Sequence, residues 1–172
     1  MRVTIETERL IVKEIAPEYY KDVFKWCGDK DVNKYLIYPL YHNAEDVKAW
    51  LSNRNLDDPD NFDLGFFLKE SSELVGMGGI VYEPDTDIWS IGYNLRKDMW
   101  GHGYVSEAMK GIIDYVRSVR PLKVLEGEFA VENNKSRRVM EKLGMTYYRD
   151  SRYEKADGSA VFDSKVYRKV FD

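Results

Sequence analysis

Two glycines one residue apart, Gly101 and Gly103, stand inside residues 97–108 (KDMWGHGYVSEA), where a strand-like pattern gives way to a helix-like one. A strand-to-helix turn built on paired glycines lets unblocked backbone N–H groups and a helix N-terminus converge on one point, which is a phosphate-binding arrangement. A second helix start follows at residues 133–144 (NNKSRRVMEKLG), with Asn133 and Ser136 three residues apart just after a strand. Together the two segments point to an α/β chain that holds a long phosphate-bearing ligand at two helix ends.

The rest of the pattern agrees with an α/β order. Residues 7–15 read as a first strand, stopped at Ala16-Pro17, where Pro suits a helix start. Tyr19, Tyr20, Val23, Phe24 and Cys27 recur at helical spacing up to Gly28, and residues 31–38 read as a short helical segment ended by Pro39. Asn43 and Asp46 form a capped start for a helix over Val47, Trp50 and Leu51. Residues 62–68 alternate with period two. Residues 74–83 form a third strand with Gly76, Gly78 and Gly79, where a bulge is expected, and residues 88–95 a fourth. Val105, Ala108, Met109, Ile112 and Val116 then make one helical stripe that Pro121 ends. Residues 122–131 are a fifth strand, residues 135–143 a helix closed by Gly144, and residues 145–154 and 161–170 a hairpin across Asp157-Gly158. No repeat, low-complexity run or linker interrupts residues 1–172, so a single domain with a mixed sheet is expected.

Composition narrows the function classes. A chain of 172 residues with 44% hydrophobic residues can bury a full core in one domain. A net charge of −4 leaves no basic footprint for nucleic acid and favours amines over anions at the surface. The single cysteine, Cys27, cannot form an internal disulfide, which fits a reducing compartment, and beside Val23, Phe24 and Trp26 it reads as a buried thiol rather than a nucleophile. Residues 1–20 carry Arg2, Glu6, Glu8, Arg9, Lys13 and Glu14, which break any signal-peptide core, and no run approaches the ~20 apolar residues of a membrane helix. The expectation is a cytoplasmic protein without membrane or nucleic-acid partners.

Three phosphate-binding readings compete for the glycine loop. A Walker loop requires Lys and Ser/Thr after its last glycine, and here Gly103 is followed by Tyr104-Val105. A dinucleotide fingerprint needs glycine where Ser106 stands and belongs to a βαβ unit, whereas this loop follows a meander. A pyrophosphate cradle needs only Gly101 and Gly103 to free the N–H groups of residues 101–106. A glycine turn without ligand is the remaining alternative.

Residues 97–108 resemble the coenzyme A pyrophosphate loop of the GNAT N-acetyltransferases, in particular the subfamily containing the ribosomal-protein N-terminal acetyltransferases. TERLIVKEI at residues 7–15 resembles that subfamily's opening strand, IGYNL at 91–95 its fourth strand, and Asn133-x-x-Ser136 with EKLGM at 141–145 its fifth-strand and helix signature. The resemblance implies a mixed, mostly antiparallel central sheet of about seven strands with helices on both faces. It implies acetyl-CoA as co-substrate, no metal, and direct transfer to an amine acceptor, either a small molecule or a peptide or protein N-terminus, by a monomer or homodimer. The coenzyme would be held by Tyr93, Leu95, Trp100, Gly101, His102, Gly103, Tyr104, Val105, Ser106, Asn133 and Ser136. Three departures stand out: Asp98 where the superfamily loop carries Gln or Arg, Ser90 where relatives carry Glu, and Met140 where many members carry a proton-donating Tyr. The subfamily resemblance makes Ser136 the donor to the departing thiolate instead. With Ser90 and Met140 in those places, a non-catalytic acyl-CoA-binding module is one alternative; within enzymes, a polyamine or antibiotic N-acetyltransferase is the other.

The chemistry defines what else is needed. An alkyl amine of pKa ~10 must lose a proton before it attacks a thioester. Glu126 and Glu128 alternate on the fifth strand and share one face, so Glu128 is the available carboxylate base if that face lines a cleft, and an ordinary solvated residue if it does not. The resemblance gives the carbonyl an N–H donor near residues 93–95, and gives Asn133 the pantetheine arm or an ordered water. Plain helix capping explains Asn133 and Ser136 equally. His102 faces solvent or phosphate, and His42 precedes a helix in the variable substrate region. Lys135, Arg137 and Arg138 suit either a 3′-phosphate or a solvated face. Tyr35, Tyr38, Tyr41, Trp50 and Trp89 suit either an acceptor pocket or the core.

Overall fold

A computed structural model describes residues 3–172 as one eight-stranded sheet in the order β1-β2-β3-β4-β5-β6-β8-β7. The strands are β1 (Thr4–Glu6), β2 (Leu10–Lys13), β3 (Asn61–Leu68), β4 (Leu74–Glu83), β5 (Ile88–Leu95), β6 (Val124–Ala130), β7 (Thr146–Glu154) and β8 (Val161–Val170). Every neighbouring pair is antiparallel except β5 and β6. The expected mixed, mostly antiparallel sheet is therefore present, with eight strands against about seven. The extra strand arises at the start: Thr7 donates its N–H to the Leu10 carbonyl at 2.9 Å and its Oγ1 accepts from the Leu10 N–H at 3.1 Å. That turn pairs Thr4–Glu6, which precede the segment read as the first strand, with Leu10–Lys13, the strand portion of that segment, and makes the β1–β2 hairpin.

Helices cover both faces. On one side α4 (Tyr104–Val119) buries Met109, Ile112 and Val116 against Leu10, Val12, Phe66 and Leu125, and α5 (Asn134–Lys142) adds Met140 to the same cluster. On the other side α1 (Tyr20–Cys27) and α3 (Ala44–Ser52) bury Val23, Trp26, Val47 and Leu51 against Phe67, Leu74 and Met77. Each such side chain contributes about 1.5–3 kcal/mol of hydrophobic stabilisation. Asn43 caps α3 as expected, its side chain accepting from the Asp46 N–H at 3.0 Å.

Two local expectations are corrected. The helix read over residues 31–38 is only the single turn α2 (Lys30–Asn33). The Asn33 carbonyl accepts the Leu36 N–H at 2.9 Å, a tight turn in place of the next helical bond, and the Lys155 ammonium from the β7–β8 hairpin holds that turn by binding the Asn33 and Leu36 carbonyls at 2.8 and 2.7 Å. The bulge expected among Gly76, Gly78 and Gly79 lies one residue earlier, where Val75 has no partner in the step between Phe66 and Phe67. The glycines serve close approach instead: a Cβ on Gly79 would stand 1.8 Å from the Phe62 carbonyl oxygen.

What positions the site is a split in the sheet. β5 and β6 pair only at Trp89–Leu125 and Ser90–Glu126, while β5 stays paired with β4 up to Leu95 and β6 with β8 up to Ala130. Ile91 and Met140 both press on Gly127, where an added Cβ would lie 2.6 Å from each, and beyond that wedge the two strands diverge.

Candidate active site

The divergence opens a cleft of about 930 Å³, within the size range of small-molecule and cofactor sites. It is bounded by β5, the glycine loop, the starts of α4 and α5, Glu128 on β6, Tyr153 on β7 and residues 31–36. The Arg96 N–H reaches the Val75 carbonyl at 2.8 Å, which makes Leu95–Gly76 a non-hydrogen-bonded pair. By alternation Asn94 and Gly92 spend their backbone groups on β4, and Ile91, Tyr93 and Leu95 turn theirs into the cleft. The Trp100 indole N–H donates to the Leu95 carbonyl at 2.9 Å, so the loop is pinned to the end of β5.

Gly101 and Gly103 adopt φ of 84° and 79°, the left-handed region in which a side chain is strained. An added Cβ at Gly101 would meet nothing within 4 Å, so conformation rather than crowding requires this glycine. Gly103 is the residue before α4, and the first helical bond runs from the Glu107 N–H to the Gly103 carbonyl at 3.1 Å. The N–H groups of Tyr104, Val105 and Ser106 precede that bond and sit at the positive end of a 16-residue helix beside the cleft. His102 is exposed, with its ring 5.6 Å from that of Tyr104, and its side chain is not part of the cleft wall. Asp98 accepts from Arg96 Nε at 2.6 Å, a bond that holds its carboxyl below the usual carboxylate range. It faces its own neighbour and not the cleft.

A clasp that motif reading missed holds this loop. Glu107 accepts from Thr7 Oγ1 at 2.5 Å, from the Arg9 N–H at 2.8 Å and from Arg9 Nε at 2.7 Å. The Arg9 guanidinium also lies 4.4 Å above the Tyr104 ring. Burial pushes the Glu107 carboxyl up, but these hydrogen bonds and the guanidinium charge outweigh it and hold the group below its ordinary range. The traces in sequence were TER at residues 7–9 and the Glu three positions after Tyr104.

At the opposite wall Asn133 is an N-cap whose Oδ1 accepts from the Ser136 N–H at 3.3 Å. Ser136 Oγ lies 2.5 Å from Tyr93 Oη, which also lies 3.2 Å from the Ser136 carbonyl oxygen. Burial pushes the Tyr93 phenol up to about 12, only partly opposed by its bond to Ser136. Sequence reading used Tyr93 for its backbone alone and missed this side-chain contact. Lys135 Nζ stands 3.9 Å over the Trp100 ring and Arg138 lines the cleft, whereas Arg137 faces Glu141 at 3.7 Å.

The strand face opposite α4 and α5 forms the other half. The Ser90–Glu126 pairing puts Gly92 and Glu128 on this face. Glu126 is committed to Arg168 at 2.7 Å, while Glu128 is exposed, lines the cleft and accepts one bond, from Ser164 Oγ at 2.5 Å. Beside it an added Cβ on Gly92 would meet nothing within 4 Å. Of the five aromatics considered for a pocket only Tyr35 lines the cleft; Trp89 is buried in the core, Tyr41 and Trp50 pack in the α1–α3 layer, and Tyr38 is exposed. Tyr153, not singled out in sequence, donates to the Tyr35 carbonyl at 2.6 Å, and burial pushes its phenol up to about 12. His42 is exposed outside the cleft wall. Burial pushes the Cys27 thiol up to about 12. Among the described residues no helix is long and apolar enough to cross a membrane.

Comparison with known proteins adds independent findings. Residues 9–146 match the family model for the acetyltransferase (GNAT) domain. The chain is 28% identical over 165 residues to the uncharacterized N-acetyltransferase p20 of Bacillus licheniformis, covering 92% of this chain and 91% of that protein. It superposes on a GNAT-family acetyltransferase from Bacillus anthracis with a TM-score of 0.84 at 22% identity, over 98% of both chains. It also superposes on RimL, a ribosomal L7/L12 alpha-N-protein acetyltransferase solved with coenzyme A, with a TM-score of 0.80 at 15% identity over 99% of both chains.

Proposed function

The chain belongs to the GNAT acetyltransferase family, and from that membership we propose that it is a single-domain N-acetyltransferase moving an acetyl group from acetyl-CoA directly to a primary amine. Both substrates are bound together, and the acceptor is a small amine or a peptide or protein N-terminus. The observation that carries the reading is the β5–β6 split, with a glycine-opened helix start on one wall and the Tyr93–Ser136 pair on the other.

In this reading the coenzyme pyrophosphate takes the backbone N–H groups of residues 101–106, where the α4 dipole favours an anion. Those groups need no arginine at position 98. Lys135 and Arg138, flanking the cleft, suit the outer phosphates. The pantetheine arm and thioester run along the free edge of β5, where β6 would otherwise pair, and an N–H of Tyr93 or Leu95 polarises the acetyl carbonyl. The amine comes from the Gly92–Glu128 side. Glu128, directly or through one water, takes a proton from the ammonium. The freed nitrogen lone pair attacks the carbonyl carbon, the carbon–sulfur bond breaks, and the electron pair leaves on sulfur, to which the Ser136 hydroxyl donates a hydrogen bond. The second amine proton passes to solvent. No acetylated protein forms: Cys27 is the sole thiol and burial keeps it protonated. A reduced thiol of this kind fits work in the cytoplasm.

Isothermal titration with acetyl-CoA, followed by thiol-release assays against peptides, polyamines, aminoglycosides and amino acids, tests the reading. Saturable heat and turnover of at least one amine class are expected. A folded sample giving no heat at millimolar acetyl-CoA sinks the coenzyme site, and binding without turnover of any of these amines sinks the transfer reaction.

A further inference from the structure

The Tyr93–Ser136 contact joins two residues 43 positions apart, and its proton count constrains what it does. Two hydroxyl protons serve three oxygens: Tyr93 Oη, Ser136 Oγ at 2.5 Å from it, and the Ser136 carbonyl at 3.2 Å. In one arrangement Ser136 donates to Tyr93 and Tyr93 donates to the Ser136 carbonyl. Both protons are then spent inside the pair. In the other, Tyr93 donates to Ser136 Oγ, and the Ser136 proton is released toward the cleft that both residues line. Burial keeps Tyr93 a neutral phenol, so it retains a proton to donate in either case. A thiolate in the cleft selects the second arrangement, because a hydrogen bond to a charged acceptor is about twice as strong as one to a neutral carbonyl.

We propose that Tyr93 is a positioning residue for Ser136: its phenol donates to Oγ and thereby commits the Ser136 hydroxyl to the coenzyme sulfur. The proposal rests on the reading above, in which that sulfur arrives at Ser136. It assigns the phenol, rather than only the Tyr93 backbone, to the reaction, and it supplies from β5 the support that Met140 on α5 does not. No covalent step is added. The carbon–sulfur bond breaks as before, and the pair alters only how well the sulfur carries the electrons it receives.

The test needs no acceptor amine. Coenzyme A is bound to the protein, and its thiol is titrated by the ultraviolet absorbance of the thiolate. The unsubstituted chain is compared with Tyr93→Phe, Ser136→Ala and the double variant. A donor to the thiolate lowers the pKa of the bound thiol, so each single substitution should raise it, by about one unit for loss of one such bond. The double variant should rise no further than Ser136→Ala alone, since Tyr93 acts only through Ser136. Coenzyme affinity below the thiol pKa should not change. An unmoved thiol pKa in Tyr93→Phe overturns the proposal, and so does an additive double variant, which would give the phenol its own contact with sulfur. A purely structural role for Tyr93 would show instead as weaker coenzyme binding with the thiol pKa unmoved. Failure of the unsubstituted chain to bind coenzyme A is a separate result that removes the underlying reading and the proposal with it.

Discussion

At the scale of single residues the proposed reaction divides labour between backbone and a few hydroxyls. In it Gly101 and Gly103 act through φ, Tyr93 and Leu95 through the edge of β5, and Ser136 through one proton. Ser136→Ala should therefore lower kcat by roughly ten- to a thousand-fold while leaving acetyl-CoA affinity nearly unchanged, the pattern of a group that acts in the transition state. Cys27→Ala should leave kcat intact, because burial holds that thiol protonated on the α1 side of the sheet. Steady-state kinetics with titration calorimetry checks both, and loss of turnover in folded Cys27→Ala would contradict direct transfer. Gly101, Gly103, Asn133 and Ser136 were all visible in sequence, because φ demands and capping spacings are local properties. The Tyr93 phenol was not, because its partner comes from another element and no spacing along the chain encodes that meeting.

At the scale of elements one wall of the cleft depends on a strap. The Lys155 ammonium, itself buried, binds the Asn33 carbonyl, Asn33 Oδ1 at 3.0 Å and the Leu36 carbonyl, while Tyr153 holds the Tyr35 carbonyl and the Ala156 N–H holds that of Ile37 at 2.8 Å. The β7–β8 hairpin thus fixes the α2 segment as one wall of the cleft. Lys155→Met keeps the apolar stem and removes three hydrogen bonds, each to an acceptor that must then find water. Hydrogen exchange should quicken over residues 30–37, and KM for the amine should rise several-fold with acetyl-CoA affinity unaltered. Exchange rates unchanged in that segment would show that the strap is not what orders it. Periodicity had read a longer helix here because residues 31–38 hold nothing that opposes one; the opposing charge lies about 120 residues away.

At the scale of the whole molecule the order of strands and helices was legible from pattern alone, and so was the glycine loop before α4, since alternation, apolar stripes and glycine turns are each written in neighbouring residues. What ties the first hairpin to α4 was not. Glu107 bonds to Thr7 and Arg9 across 98 or more positions, and its carboxyl is held below its ordinary range. Because the folded state favours the charged form, this stabilisation is fully present above the ordinary value of 4.5 and is lost as pH falls through the lower folded value. Acid unfolding followed by circular dichroism should show Glu107→Gln losing stability near neutrality and flattening the acid limb; an unchanged acid limb would remove the clasp from the account. Sequence by itself determined the kinds of element, their order and the glycine loop, because those follow from backbone preferences and from burial of one face at a time. Only the tertiary structure decided that β5 and β6 part after Ser90, that Glu128 rather than Glu126 stays available, and that Tyr93 meets Ser136. Each of these depends on which side chains pack between elements distant in the chain, as Ile91 and Met140 do on Gly127, and packing of that kind has no period to read.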